Sequence, residues 1–307
     1  MKLYIVIDNN PSETSPALES EHGLCIYFNS CGENFLIDTG SSGKFISNLE
    51  NLNLTKIEDI EHVIISHGHN DHTGGLKDFL QNNSKAKITL HSSIKGEKFF
   101  SCRAKSKTIG DLKVTEFRSI GMDNSLFVEH GHRFNQIEKA TQLSENVTVV
   151  PVGCGNNEYS LPLGNSFLYK NDLPDNFSHE VAVLVKTPEG NYAVISPCSH
   201  NGILNILEIC SEQISCCTGC SISNSRKMVK AFVGGLHYVD YLTVEEDTTK
   251  DIIQEKSIED TFSTLLNLYP NIKLYSGHCT CKKASEQLKF LLKNNYSSFY
   301  SGYTIEI

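Results

Sequence analysis

No stretch of this 307-residue chain approaches the ~18 consecutive apolar residues that a membrane-spanning helix requires. The opening "MKLYIVIDNN" has too short an apolar run for a secretory signal and no cleavage-like small-residue site. Positive charge is also short. Lys and Arg number 27 against 36 Asp and Glu, for a net charge of -9. That balance speaks against a phosphate-tracking nucleic-acid surface, though not against a local basic groove. No Pro/Gly/Ser-rich linker divides the chain and no internal repeat is visible. The expectation is one soluble, cytoplasmic domain, 1–307, with a small-molecule substrate and neither nucleic-acid nor membrane partners. Nothing in the sequence reports an oligomeric state. Eleven cysteines would suit a disulfide scaffold, but without a secretory signal they read as free thiols.

What is present is a series of strand-length apolar runs rich in Val, Ile, Tyr and Phe. They are "LYIVI" (3–7), "LCIYF" (24–28), "FLI" (35–37), "HVIIS" (62–66), "KITLH" (87–91) and "VTVVPV" (147–152). "VAVLV" (181–185), "YAVIS" (192–196), "KAFVGG" (230–235) and "IKLYS" (272–276) follow. Helical spacing appears after the histidine-rich stretch, in "NGILNILEIC" (201–210), and in "SIEDTFSTLLNLYP", with Ser257 as N-cap and Pro270 just past the end. "KKASEQLKFLLKNN" repeats the spacing with Ala284, Leu288, Leu291 and Leu292. Strands alternating with helices predict a layered α/β protein of two sheets with helices outside. The least regular region, about 96–178, reads as a segment that would cover a substrate.

The chemistry is concentrated in "HVIISHGHNDHTGGL" (62–76). A buried strand runs into His67, His69, Asp71 and His72, three of the chain's 12 histidines within six residues. A turn at the strand end can splay these groups around a point, and imidazole with carboxylate suits zinc, or iron or manganese. The histidine loop therefore reads as a metal site. Two such ions about 3.5–4 Å apart would bring a shared water toward neutrality in pKa and polarise a carbonyl or phosphoryl oxygen.

"SHGHNDHTGG" resembles the HxHxDH signature of the metallo-beta-lactamase superfamily, which implies an αββα four-layer sandwich of two stacked mixed sheets. "FLIDTG" (35–40), "SPCSH" (196–200) and "SGHCTC" (276–281) resemble its further loops. The resemblance implies His67 and His69 on one ion, Asp71 and His72 on a second, and His200 and His278 completing the pair. "EHGLCIYF", "HEVAVLVKTPEGNYAVISPCSHNGILNIL", "VGGLH" and "GHCT" narrow the likeness to the dihydropterin–aminobenzene ribofuranosyl-phosphate synthase-like branch. Its members often carry Gly-Cys-Ser-His and His-Cys-Thr-Gly where this chain has Pro197 and Cys281.

Asp71 is the catalytic candidate, placed to orient water or take its proton. Asp38 is expected behind the ligands, fixing an imidazole by a hydrogen bond. In "FSHEV", His179 or Glu180 would point inward, with Glu180 favoured by the branch. His22, His91 and His237 are candidates for lining the pocket; His62, His130 and His132 read as structural or exposed. Cys198 and Cys279 adjoin ligands and could enter as thiolates, Cys279 ahead of Cys198, whereas the Cys217–Cys220 pair in "CCTGC" reads as an exposed loop insertion. These residues imply a hydrolase with two divalent ions, zinc first, acting on an ester, lactone, amide or phosphoester. A synthase-like transferase is the alternative; it would need a basic phosphate pocket, for which "SSGK" (41–44) or Arg118 could serve. A diiron oxidoreductase, whose relatives carry Glu where this chain has His69, and a silent ligand sensor rank lower.

Overall fold

The computed structural model describes residues 1–102, 107–109, 112–114, 117–153, 158–239 and 248–307. Two seven-stranded sheets dominate it. The first runs, edge to edge, Phe134–Ile137, Lys87–His91, His62–Ile64, Glu33–Ile37, Cys25–Ser30, Lys2–Ile7 and Thr304–Glu306. The second runs Thr141–Ser144, Val147–Pro151, Val181–Lys186, Tyr192–Ile195, Val229–Val233, Lys273–Ser276 and Tyr296–Ser298.

Because successive side chains in a strand point to opposite faces, each apolar strand can bury two surfaces. One face of each sheet enters a shared core, where Leu3, Ile5, Ile26, Phe28, Phe35 and Ile64 meet Val149, Val183, Val185, Ile195 and Val233. The other face of the first sheet (Val6, Leu36, Val63, Ile88) packs on Phe45 and Leu49 of helix Lys44–Asn51 and on Leu76 and Phe79 of helix Leu76–Asn82. The other face of the second sheet (Ala182, Leu184, Val194, Phe232) takes helices Ile203–Thr218, Thr248–Leu268 and Lys282–Leu292 through Leu207, Phe262, Leu265 and Leu288. The result is helix, sheet, sheet, helix: the four-layer αββα sandwich.

Strands Glu33–Ile37, His62–Ile64 and Lys87–His91 run parallel, as do Tyr192–Ile195, Val229–Val233 and Lys273–Ser276. Within each sheet their C-terminal ends therefore open on one edge, where ligands of open α/β sheets usually sit. Asp38, 66–72, 197–200, His237 and His278 all leave from such ends.

Three local expectations need correction. Ser257 is no N-cap: the helix starts at Thr248 and runs unbroken to Leu268, because neither Gly nor Pro interrupts 248–268. "SSGK" leads into a helix, Lys44–Asn51, that the sequence reading lacked. "CCTGC" is not a loop insertion: Cys216 and Cys217 lie in the last turn of helix Ile203–Thr218, which Gly219 ends at φ 70° before a second helix, Ile222–Met228. Of the segment at 96–178, the described part holds a four-stranded sheet built from Leu173–Pro174, Leu168–Lys170, Phe99–Ser101 and Arg118–Ser119. Residues 103–106, 110–111, 115–116 and 154–157 lie outside the described residues. Among the described residues no helix is long and apolar enough to cross a membrane.

Candidate metal centre

Asp38 sets the geometry of the histidine loop. Its own N–H donates to the Ile64 carbonyl at 2.8 Å, and its Oδ1 accepts the Ser66 N–H at 2.8 Å. Its Oδ2 accepts from Ser66 Oγ at 2.7 Å and from His72 Nδ1 at 2.7 Å. The chain therefore leaves strand His62–Ile64 two residues before the apolar run ends. Gly68 lets it pass beneath Phe99, since a Cβ there would lie 2.4 Å from Phe99 Cε2. The one-turn helix Asn70–Thr73 then swings Asp71 and His72 back toward His67.

Two groups of ligand atoms result, each drawn together within 4.8 Å: His67, His69 and His200, and Asp71, His72 and His278. In the first, His67 Nε2 lies 3.1 Å from His69 Nδ1 and 3.3 Å from His200 Nε2. In the second, His72 Nε2 and His278 Nε2 are 3.0 Å apart, and Asp71 Oδ2 lies 3.7 and 3.5 Å from them. The His67 and His72 rings, 4.2 Å apart between centroids, join the two groups.

The outer partners decide which atoms face inward. Ser66 Oγ gives its proton to Asp38 and so accepts from His67 Nδ1 at 2.9 Å. His72 Nδ1 donates to Asp38, His200 Nδ1 to Asn165 Oδ1 at 2.9 Å, and His278 Nδ1 to Asn9 Oδ1 at 3.1 Å. Each of these four rings turns Nδ1 outward and Nε2 inward, and in His67, His200 and His278, which burial keeps neutral, Nε2 is a bare lone pair. The facing lone pairs of His67 and His200, 3.3 Å apart, repel unless a cation lies between them. His69 turns Nδ1 inward and leaves its Nε2 buried without a partner. This donor set fits metal ions and fits little else.

Electrostatics agree. Burial, reinforced by neighbouring histidines, holds His67 and His200 well below the usual histidine range. Burial also takes His69 down to about 3 and His278 down to about 4. Neutral imidazoles are the form that binds metal. His72 differs: burial would lower it, but Asp71 and Asp38 raise it to about 9. Burial pushes the Asp71 carboxyl up, yet His72, His278, His22 and His69 outweigh it and hold Asp71 below the ordinary carboxylate range.

The remaining candidates divide. Glu180 does not face the ligand atoms: Oε1 accepts the His200 N–H, and Oε2 accepts from Asn201 N–H and Nδ2, at 2.7–2.8 Å. It anchors the His200 loop. His179 has both nitrogens engaged, Nε2 with Asp175 Oδ2 at 3.0 Å and Nδ1 with the Gly68 N–H at 3.3 Å. His22 stands at the mouth with its side chain 72% exposed, Nε2 3.4 Å from Asp71 Oδ2 and ring stacked on His278. His237 packs on His200 at 4.2 Å and lies 3.5 Å from Cys198 Sγ. His91 turns to its own loop, with Nδ1 2.7 Å from Ser93 Oγ. His62 stacks on Phe35 and faces Glu33. The "SSGK" turn cradles no open anion site: the N–H groups of Ser41 and Ser42 go to Glu21 Oε1, Ser42 Oγ to its Oε2, and Lys44 Nζ to Glu19. Arg118 is exposed.

Asn9, Asn165, Ser66 and Phe177 were not anticipated. Phe177 stacks on His200 at 3.9 Å between centroids and 5° between planes. Asn9 had a signal available, since "IVIDNN" is another apolar strand running abruptly into polar residues. Asp38, Phe177, Ser199, His237 and His278 adopt left-handed backbone, with φ between 51° and 59°. Such strained positions gather at ligand-holding sites.

Two stacked sheets between helix layers, with this histidine loop at their common edge, make up the metallo-beta-lactamase fold. A family model of the metallo-beta-lactamase superfamily matches residues 20–96 of this chain. Over 316 aligned residues it is 25% identical to a 7,8-dihydropterin-6-methyl-4-(beta-D-ribofuranosyl)-aminobenzene-5'-phosphate synthase of Methanocaldococcus jannaschii, covering 100% of this chain and 96% of that protein. It is also similar to Tm1679, a metal-dependent hydrolase of the beta-lactamase superfamily: TM-score 0.69 and 25% identity, over 100% of this chain and 99% of that one. The short form of human tRNase Z shares the fold at 12% identity, with TM-score 0.52 over 100% of this chain and 99% of that one.

Proposed function

We propose that this chain is a dinuclear metallohydrolase that turns water against an ester, lactone, amide or phosphoester of a small molecule. The observation that carries the reading is the convergence of outward-tethered imidazoles on two points, with Asp71 at one of them. His67, His69 and His200 would hold one ion and Asp71, His72 and His278 the other, with zinc first and iron or manganese as alternatives. Bound there, the ions would supply Lewis acidity and bring water toward neutrality in pKa.

The chain's own groups supply the rest. Asp71, at 14% side-chain exposure the most open of the six, can orient a water and take its proton. His22 accepts from Asn9 Nδ2 at Nδ1, so its Nε2–H points at Asp71 and steadies that carboxylate. Phe99 and Phe177 close the rear of the first histidine group against solvent. The synthase-like transferase reading draws on the full-length relative but needs a phosphate pocket, and Glu21 and Glu19 fill the turn that would have provided one. That favours hydrolysis.

The test is elemental analysis of protein purified without chelator, followed by turnover assays on lactones, phosphodiesters and phosphorylated pterin precursors. About two equivalents of metal are expected. A fully occupied preparation that stays at one equivalent would refute the dinuclear reading.

A further inference from the structure

Cys198 enters more of the potential ligand groups than any other side chain among the described residues. Its sulfur lies within 4.8 Å of ligand atoms of His67 and His72 together, of His200 and His237, and of His278 and Cys279. His67 and His200 belong to one ligand group, His72 and His278 to the other. The sulfur therefore stands between the two. No carboxylate does this: Asp71 groups only with His72 and His278, and Glu180 is committed to backbone.

The loop is built to keep the sulfur there. Ser199 takes left-handed backbone at φ 56°, and its Oγ donates to the Gly235 carbonyl at 2.6 Å. The Gly235 N–H donates to the Pro197 carbonyl at 2.8 Å. At Gly234 a Cβ would fall 1.8 Å from the Ser196 carbonyl oxygen, so the two loops can close on each other only with glycine there. Cys279 lies behind, its Sγ 3.3 Å from Cys198 Sγ and accepting the His237 N–H at 3.1 Å.

Charge gives the reason for a sulfur at this place. Two divalent ions would bring four positive charges among five neutral imidazoles and one carboxylate, Asp71, while the carboxylates behind them (Asp38, Glu180 and Asp8) are bound to Ser66, His72 and backbone N–H groups. Cys198 is 3% exposed and His67, His72 and His200 are fully buried, and buried charge without counter-charge is costly. We propose that Cys198 is a seventh ligand whose thiolate is shared between the two ions; this rests on the dinuclear reading above. On binding, the S–H bond breaks, its proton leaves to solvent, and sulfur lone pairs form both metal bonds. A shared thiolate selects thiophilic ions, zinc, iron(II) or cobalt(II), over magnesium, calcium or manganese.

The experiment loads the full chain with cobalt(II), counts equivalents bound, and records the near-ultraviolet sulfur-to-cobalt charge-transfer band. Cys31, Cys102, Cys216, Cys217 and Cys220 are replaced by Ser throughout, so that the accessible thiols away from the centre contribute nothing. Two equivalents and a strong band are expected in this parent. Cys198→Ser should lose the band, and Cys279→Ser should keep it. Cys198→Asp, which restores a charged ligand, should bind two equivalents with no band, and it carries the test if Cys198→Ser folds poorly. A parent with two equivalents and no band, or a band that survives either Cys198 variant, overturns the shared thiolate and leaves the dinuclear reading standing. Fewer than two equivalents in the parent brings down both.

Discussion

Asp38 is in neither group of ligand atoms, yet three hydrogen bonds converge on it from Ser66 and His72. Replacing it with Asn would turn an all-acceptor group into one that must present an N–H to at least one donor. The His72 ring would then lose its fixed tautomer. We expect Asp38→Asn to weaken metal binding about 10–100-fold, the usual cost of removing an outer partner of a metal-bound histidine. Calorimetric titration against wild type measures this, and an unchanged Kd would refute the role. At this scale the sequence was legible where side chains are chemically distinctive and crowd a strand end, as His67 to His72 do. It was silent on Asn165, because Asn is common in loops, and the abrupt end of "IVIDNN" marked the place of Asn9 without showing its role. Their meaning arises only when Asn9 meets His278 across 269 residues and Asn165 meets His200 across 35. Glu180 shows the opposite limit: its position was anticipated, but whether a carboxylate faces an ion or a backbone N–H has no signature in sequence.

Among elements, strands were easier to read than helix boundaries. All ten apolar runs became strands, since Val- and Ile-rich segments buried on both faces need little else to specify them. Helix Thr248–Leu268 begins well before Ser257 because its polar first turns carry no apolar stripe to read. Helix Lys44–Asn51, only eight residues long, buries just Phe45, Asn48 and Leu49, too few positions for a period to emerge. The histidine loop is constrained by a neighbouring element, the strand Phe99–Ser101. Gly68→Ala would drive a methyl group into the buried Phe99 ring. We expect a destabilisation of about 1–3 kcal/mol, the range for overpacking, together with weaker metal binding. Adding Phe99→Leu should recover part of both losses. Urea unfolding of the single and double variants checks this, and a double variant no better than the single would place the strain elsewhere.

For the whole molecule, the buried imidazoles tie stability to acidity once metal is removed. Unfolded histidine takes up a proton below about 6.5, whereas His278 and His69 in the fold hold out to about 4 and about 3. His67 and His200 are lowered likewise. The unfolded chain therefore binds more protons across this window, and stability must fall as pH drops from about 6.5 toward 4. His72, raised to about 9, gives its full contribution below the unfolded value and loses it only as pH climbs through 9. It leaves the acid window unaffected. Asp8, pushed up by burial to about 7, and Glu180, also raised by burial, oppose the trend, but four histidines outnumber them. Chelator-treated protein should thus unfold at progressively lower urea concentration between pH 7 and about 4.5. A midpoint that stays level over that range would contradict the burial of neutral imidazoles.

The two ligand groups also impose an order of events on folding. His72 and His278, whose nitrogens lie 3.0 Å apart, are separated by 206 residues, and one hangs from each sheet. Neither sheet alone can hold the second proposed ion. Pairings so distant along the chain form late, since loop closure must be accomplished before they repay it. During synthesis, six strands of the first sheet would leave the ribosome with only part of each ligand set and would wait for the second sheet and for the edge strand Thr304–Glu306. Capture of metal then becomes the closing step of assembly, a latch on two finished halves rather than a seed around which they form.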